Sequence, residues 1–321
     1  MITKKEIGVF CAIFSLLIFF CSCKEFIEAS LEDSLISQNA PADSTESTQY
    51  LQSFWWDTVD DALFYRLQVV TPNFSKPVNF ILDTLISDNK FNLTLEPGSY
   101  EWRVRAENGS SKGLFSIRYF IIHPSSISNQ SVQLKLPLDA SVTNQARVIF
   151  SWYKLFGAER YRFQADTALG NFLDEDHLFY NSATLQDNVS VELGTDGVLY
   201  WRVRAENDST QSKWSSIFRI THDATEPQKV SLLSPADNAQ TPLPIVLTWN
   251  SIAEAKQYQV YVSASNDSTQ TLNDSFPVTV NTNSFRFSSV NYGEKIYWKV
   301  RAVDLAGNKG EYSSFRSFIV Q

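Results

Sequence analysis

Apolar and polar residues alternate along short stretches of this chain, and the stretches recur. In Val148-Phe150-Trp152 and Ile245-Leu247-Trp249, large apolar residues occupy every second position. A period of two places such residues on one face of a β-strand, where they can fill a core. Long stretches with a helical period are missing. The pattern therefore predicts an all-β protein.

Tryptophans show that one unit occurs three times. Trp56, Trp152 and Trp249 are 96 and 97 residues apart. Each unit continues with an alanine, a tyrosine that begins an alternating run, and a strand of Trp-Arg/Lys-Val-Arg-Ala. The tyrosines are Tyr65, Tyr161 and Tyr258, and the later tryptophans are Trp102, Trp201 and Trp298. A unit of about 95 residues is long enough for its own core.

The units resemble fibronectin type III domains. The resemblance rests on the first tryptophan of each unit, the Trp-Arg-Val-Arg-Ala strand, and Trp214-Ser215-Ser216 before a last strand. It implies three tandem β-sandwiches of the immunoglobulin-like or fibronectin type III-like class. The segment Leu95–Tyr100 resembles the tyrosine corner of that family. Units two and three have Leu199 and Ile296 at this place, so we expect the corner hydrogen bond only in unit one.

Turn residues and prolines indicate the domain boundaries. We predict domains at 34–123, 132–223 and 228–321. The linkers contain Pro124 and Pro227 and are short, so the domains should form a semi-rigid rod.

The N-terminus has the pattern of a secretory signal peptide. Lys4 and Lys5 precede an apolar run of 14 residues from Ile7 to Phe20. This run is shorter than the roughly 20 residues that a membrane-spanning helix needs. We predict a signal peptide over residues 1–22; an uncleaved signal anchor is the alternative.

Phe20-Cys21-Ser22-Cys23 resembles the lipobox of bacterial lipoproteins, although the family usually has leucine at the position of Phe20. The resemblance implies lipidation of Cys23, which would become the new N-terminus and hold the chain to a membrane. Residues 23–33 would then form a lipidated tether. Several acyl chains anchor a protein firmly, whereas one is marginal.

Lys24-Glu25 faintly resembles the surface-export signal of Bacteroidota-type lipoproteins. We therefore expect a cell-envelope protein anchored to the outer membrane; the choice between a surface-exposed and a periplasmic orientation stays open.

Composition argues against several functional classes. The net charge of −8 disfavours nucleic-acid binding, which depends on Lys and Arg neutralising phosphates. All three cysteines lie within the first 23 residues, and the three histidines form no catalytic or metal-ligand motif. We predict no catalytic residues, no cofactor and no metal, hence a non-enzyme.

Two groups of residues are candidates for ligand contact. Trp55 has the parity opposite to Trp56, so its indole should lie on the outer face, where units two and three have Ser151 and Thr248. Exposed indoles can stack on sugars, although a lone exposed aromatic often has no role. Arg66, Arg103 and Arg105 should form an outward basic ladder; cross-strand charge pairing explains most such ladders.

Asp followed by Ser or Thr and a small or aliphatic residue recurs in the chain. The pattern resembles the O-glycosylation signal of Bacteroidota envelope proteins, and the alternative is that Asp-Ser and Asp-Thr simply form good turns. The candidate sites are Ser34, Ser44, Thr58, Thr84, Thr167, Ser209 and Ser268.

These observations predict a non-catalytic binding or adhesion module for an extracellular glycan or protein. An architectural spacer, or an accessory subunit of an envelope complex, is the alternative. A glycan-degrading enzyme is the less favoured third class, because no acid/base motif supports it.

Overall fold

The computed structural model describes residues 28–266 and 271–321, which form three pairs of β-sheets. Each pair is called a domain below. The predicted all-β class with three fibronectin type III-like sandwiches is confirmed. The predicted signal peptide and Cys23 lie outside the described residues. Within the described ranges, none of the helices is both long and apolar enough to cross a bilayer.

Domain one has eight strands between residues 38 and 122, inside the predicted range 34–123. Its sheets have the orders β1-β3-β6 and β2-β8-β7-β4-β5. The strands are β1 (Gln38–Ala40), β2 (Thr45–Ser47), β3 (Leu51–Trp56), β4 (Phe64–Thr71), β5 (Asn79–Ile86), β6 (Lys90–Thr94), β7 (Gly98–Glu107) and β8 (Ser116–Ile122).

Domain two repeats this order as β14-β11-β9 and β10-β16-β15-β12-β13. One short 3₁₀ helix (Ile127–Asn129) lies before the first strand of this domain. Two more (Leu169–Leu173 and Glu175–His177) lie between its fourth and fifth strands. The strands are β9 (Leu134–Leu136), β10 (Ser141–Thr143), β11 (Arg147–Trp152), β12 (Arg160–Asp166), β13 (Tyr180–Thr184), β14 (Asn188–Glu192), β15 (Gly197–Glu206) and β16 (Phe218–His222).

Domain three has the orders β17-β19-β22 and β18-β24-β23-β20-β21. The strands are β17 (Leu232–Ser234), β18 (Ala239–Thr241), β19 (Ile245–Trp249), β20 (Gln257–Ser263), β21 (Val278–Val280), β22 (Ser284–Phe287), β23 (Lys295–Val303) and β24 (Arg316–Val320).

The alternation in the sequence fixes which side chains fill each core. In β3, Phe54 and Trp56 are buried while Trp55 is exposed. In β7, Trp102 and Val104 are buried, whereas Arg103 and Arg105 point outward. The matching strands of the other two units bury the same alternate positions. A shift of one residue in strand register would move every large side chain from the core to solvent.

The Pro-x-Asp segments join the first two strands of each domain. After Pro41 the chain passes from the three-stranded sheet to the five-stranded one, where β2 runs parallel to β8. The Asp43 carboxylate accepts a hydrogen bond from the Tyr119 N–H at 2.9 Å. Asp139 and Asp237 accept from Arg219 and Ser317 in the same way.

Buried tyrosines tie loops to strands. The Tyr65 hydroxyl accepts from the Val59 N–H at 3.0 Å, and the equivalent tyrosines of domains two and three repeat this contact. The Tyr100 hydroxyl donates to the Glu96 carbonyl at 2.8 Å, which confirms the predicted corner. Leu199 and Ile296 fill that position elsewhere with apolar side chains that have no hydroxyl to donate.

Domains one and two share one apolar cluster. Ile127, from the linker, is buried with residues of both domains. The Tyr50 hydroxyl donates to the Ser125 carbonyl at 2.8 Å, and its ring meets Phe156 edge-on at 6.0 Å. The amide of Gln130 bonds the Tyr50 N–H and the Thr48 carbonyl.

The junction between domains two and three is polar. Domain three has a separate apolar cluster. The Asp196 carboxylate accepts from the Ala224 N–H at 2.7 Å and from the Thr225 hydroxyl. The Asn308 side chain donates to the Asp223 carbonyl at 2.7 Å.

Candidate ligand-binding faces

Trp55 lies on the outer face of the three-stranded sheet of domain one, with 47% of its surface exposed. Strand β3 places it there because Trp56, one residue on, is wholly buried in the core. Its cross-strand neighbours are Lys90 on β6 and Ala40 on β1. The indole is therefore carried by a strand that is paired on both sides, and about half of its surface is open to solvent.

Polar side chains share the outer sheet face with this indole. Ser53 lies two residues away on the same face, and its hydroxyl donates to the Asn92 side chain at 2.7 Å. Gln133 of domain two donates to the Asn92 carbonyl at 2.9 Å. A flat aromatic surface beside hydroxyl, amide and ammonium groups suits a sugar, which presents an apolar ring face and hydroxyls. We call Trp55, Ser53, Lys90 and Asn92 the tryptophan face.

The predicted arginine ladder lies on the other sheet of domain one. The Arg103 guanidinium lies between two rings, 4.1 Å from the Phe74 centroid and 4.2 Å from that of Phe115. Its Nε donates to the Gln68 side chain at 2.7 Å. Burial lowers the pKa of Arg103, and neighbouring Arg105 lowers it further. This arginine thus takes part in an internal stack.

Arg66 and Arg105 are paired with carboxylates. Arg66 lies 3.1 Å from Asp83 and 3.7 Å from Glu107. Arg105 bonds Glu107 at 2.8 Å. The structure brings the three arginines together but places Trp55 on the opposite sheet, so the four residues do not form one site.

Aromatic rings that interleave with the basic residues recur in every domain. The sequence does not mark these rings as partners of the basic residues, because they come from loops whose contacts are set only by the fold. In domain two, Arg202 lies 4.1 Å from the Trp214 centroid, and burial lowers its pKa. In domain three, Lys299 lies 4.6 Å from the Tyr312 centroid. Such stacks stabilise exposed sheet faces by roughly 0.5–2 kcal/mol per contact.

The candidate glycosylation residues differ in accessibility. Ser34 and Thr84 are half-buried, and the Ser34 hydroxyl donates to the Leu31 carbonyl at 2.7 Å. Ser268 lies outside the described residues. The exposed candidates are Ser44, Thr58, Thr167 and Ser209.

The histidines are dispersed. His123 pairs with Glu46 at 2.7 Å and His177 with Asp174 at 2.8 Å, both at the surface. His222 is buried, with its Nδ1 3.1 Å from the Thr195 carbonyl. Among the described residues, no three His, Cys, Asp or Glu side chains gather as metal ligands.

No family model matches the chain, and no curated protein is similar to it. Two similar solved structures contain fibronectin modules. The chicken CNTN1 FN1-FN3 domains are 16% identical, with 89% of this chain and 97% of that chain covered and a TM-score of 0.41. The Clostridium thermocellum CbhA fibronectin(III)-like modules are 12% identical, with 59% and 94% covered and a TM-score of 0.40. At such identity the likeness concerns the fold alone.

Proposed function

We propose that this protein is an envelope lipoprotein that binds an extracellular glycan through the tryptophan face of domain one. Cys23 would carry the lipid, and the three domains would extend from the membrane. The proposal rests on the exposed indole of Trp55 on β3, since units two and three have small polar residues at that position. Domain one therefore differs from the other two units at the position where a sugar ring could stack.

The opposite sheet supports this choice of face. Arg66, Arg103 and Arg105 are engaged by Asp83, Glu107 and aromatic rings of the same domain. An acidic glycan would have to displace these partners, whereas about half of the Trp55 surface is already exposed to solvent. The tryptophan face is thus the better candidate.

Glycan binding is tested with the chain from Lys24 onward on immobilised polysaccharides. Trp55→Ser installs the residue of unit two and should weaken binding at least tenfold, about 1.4 kcal/mol, if the indole is a central contact. Leu51→Ala, on the same strand face, is the matched control. Arg103→Gln, on the other sheet, should leave binding unchanged. Equal binding by Trp55→Ser and the wild-type chain would refute the proposal.

The lipid anchor is tested separately. The mature protein should have the mass of the chain from Cys23 plus its acyl groups, and Cys23→Ser should release it from the membrane fraction. Retention of residues 1–22 in the exported protein would contradict the anchor without bearing on glycan binding.

An architectural spacer or accessory subunit is the second candidate. The apolar cluster shared by domains one and two favours it, because a spacer needs a stiff joint. A spacer would show no glycan affinity and would co-purify with an envelope partner. Shortening the rod by deleting domain three would then impair that complex.

A further inference from the structure

The N-terminal segment of the described chain packs against domain one. Leu31 is buried, and its N–H donates to the Ser111 hydroxyl at 2.8 Å. The Asn108 side chain donates to the Ala29 carbonyl at 2.8 Å. Part of the predicted tether 23–33 is therefore fixed to the turn between β7 and β8.

This packing leaves a short connection to the proposed lipid. The described chain starts at Glu28, whose carboxylate lies against Gly109 at the tip of the same turn. Five peptide units separate Cys23 from Glu28, and they span at most about 18 Å when fully extended. A lipid on Cys23 would hold this end of domain one at the membrane surface.

Four large apolar side chains are exposed at this end. Leu35 is 64% exposed, Leu63 52%, Phe64 43% and Leu114 54%. Leu35 and Leu114 are bridge partners, and the Leu63 N–H donates to the Glu107 carbonyl at 3.1 Å, where the same turn begins. We call these four residues the apolar tip.

The repeats provide an internal comparison. Equivalent positions are identified by the same backbone bonds: the N–H groups of Leu63, Glu159 and Lys256 donate to the last residues of β7, β15 and β23. The positions equivalent to the apolar tip hold polar or charged residues in both other domains. Its counterparts are Ser131, Glu159, Arg160 and Lys213 in domain two, and Lys229, Lys256, Gln257 and Glu311 in domain three. Only domain one, next to the proposed anchor, exposes apolar groups there.

We infer that the apolar tip rests on the lipid surface, with its four side chains in the boundary between headgroups and acyl chains. This inference depends on the proposed anchor at Cys23. Burial of exposed apolar groups at that boundary is favourable, and an acyl anchor close by makes the contact intramolecular. Domain one would then stand on the membrane in a defined orientation.

Acidic residues at the same end limit the lipid composition that fits. Asp60 and Asp61 precede Leu63, and Glu32 and Asp33 precede Leu35. A negatively charged leaflet would repel these carboxylates. Contact should therefore be closest on zwitterionic lipid and weaken as the fraction of anionic lipid rises.

The test uses the full lipidated protein in phosphatidylcholine vesicles. The sequence beyond residue 23 has no cysteine, so Leu114→Cys can carry a single fluorophore. Lys213→Cys and Glu311→Cys are matched controls at the equivalent positions. A nitroxide on the lipid headgroup or upper acyl chain should quench the label on residue 114 about twofold or more, since interfacial side chains lie within about 5–10 Å of that boundary. The two control labels should be unaffected.

A second variant separates contact from anchoring. Leu35→Ser, Leu63→Glu, Phe64→Arg and Leu114→Lys together install the residues of domain two, with the label moved to Lys112→Cys. These side chains are exposed, so the fold should persist. Quenching should fall to the level of the controls while the protein still floats with the vesicles.

Three results would overturn the inference. An unquenched label on vesicle-bound protein would refute lipid contact and leave the anchor standing. A label shielded from aqueous iodide but not reached by the lipid nitroxide would indicate a protein partner instead. Protein that does not float with vesicles at all would refute the anchor, and this inference with it.

Discussion

The two junctions between the domains are built differently. Domains one and two share an apolar cluster through Ile127, and the buried amide of Gln130 joins them. Domains two and three are joined through their linker: Asp196 accepts hydrogen bonds from it, Asn308 donates one to it, and the two cores are separate. Apolar burial fixes a joint over a large area, whereas a few partly exposed hydrogen bonds contribute little net free energy.

This difference indicates a stiff pair followed by a more mobile third domain. Domains one and two should unfold together, because a disturbance in one core reaches the other. Domain three should unfold alone and change its angle within the limits of the linker. The proposed binding face on domain one thus sits on the stiff part of the molecule.

The largest effect should come from removing a core tryptophan. Trp152→Ala should cost about 3–5 kcal/mol, since most of a large buried side chain is lost. Because its cluster spans two domains, amide exchange should speed up in both domains one and two.

Trp249→Ala is the matched control, with a similar cost confined to domain three. Hydrogen exchange followed by mass spectrometry measures the amide exchange rate of each domain separately. Unchanged exchange in domain one after Trp152→Ala would show that the two domains are independent.

Ile127→Ala should uncouple the stiff pair. The change removes a buried side chain at the joint and should cost about 2–4 kcal/mol. Calorimetry should then resolve a single transition of domains one and two into two transitions. An unaltered single transition would place the coupling elsewhere.

Gln130→Ala should have a smaller effect on the same joint. It leaves the buried Tyr50 N–H and the Thr48 carbonyl without their amide partner, at a cost of about 1–3 kcal/mol. Chemical denaturation followed by tryptophan fluorescence measures the loss. A change below about 0.5 kcal/mol would mean that water replaces the amide.

Asn308→Ala should loosen the second junction by about 0.5–1.5 kcal/mol, through loss of the bond to the Asp223 carbonyl. The distance between labels on domains two and three should become more broadly distributed, as seen by single-molecule energy transfer. The distance between domains one and two should stay narrow. A broader distance distribution at both joints would contradict the proposed difference in stiffness between them.

Of the two junctions, acid should loosen the second. Hydrogen bonds from Thr225 and Ala224 hold the pKa of Asp196 below its ordinary value of 3.8. Their contribution is complete above that value and is lost as pH falls through the lower pKa of the folded protein. The distribution of distances between labels on domains two and three should thus be constant from pH 5 to 8 and broaden below about pH 3.8.

Asp196→Asn, which cannot ionise, should remove this pH dependence. Near-ultraviolet circular dichroism at each pH verifies that the domains remain folded during the measurement.

Much of the local structure followed from the sequence. The alternation around Trp55 and Trp56 predicted which indole is exposed, because the face of a strand depends only on position parity. The tyrosine corner was predicted for Tyr100 and excluded where leucine or isoleucine replaces it. Domain count and class followed from the repeat.

Other features depend on segments far apart in the chain. Ile127 lies in a predicted linker, yet it is buried in a core shared by two domains. The partners of Arg103 come from two loops, and Leu31 of the predicted tether packs under a turn 80 residues later. No local pattern marks such contacts, since they depend on where separate segments meet.

The sequence by itself therefore determined which side chains point inward, how often the unit repeats and where an indole faces solvent. Only the tertiary structure decided which arginines are engaged, which groups meet at each joint and that the exposed leucines of domain one gather beside the N-terminal segment. The physical reason is that side-chain direction is a property of a single strand, whereas packing between strands and domains is set by the assembled fold.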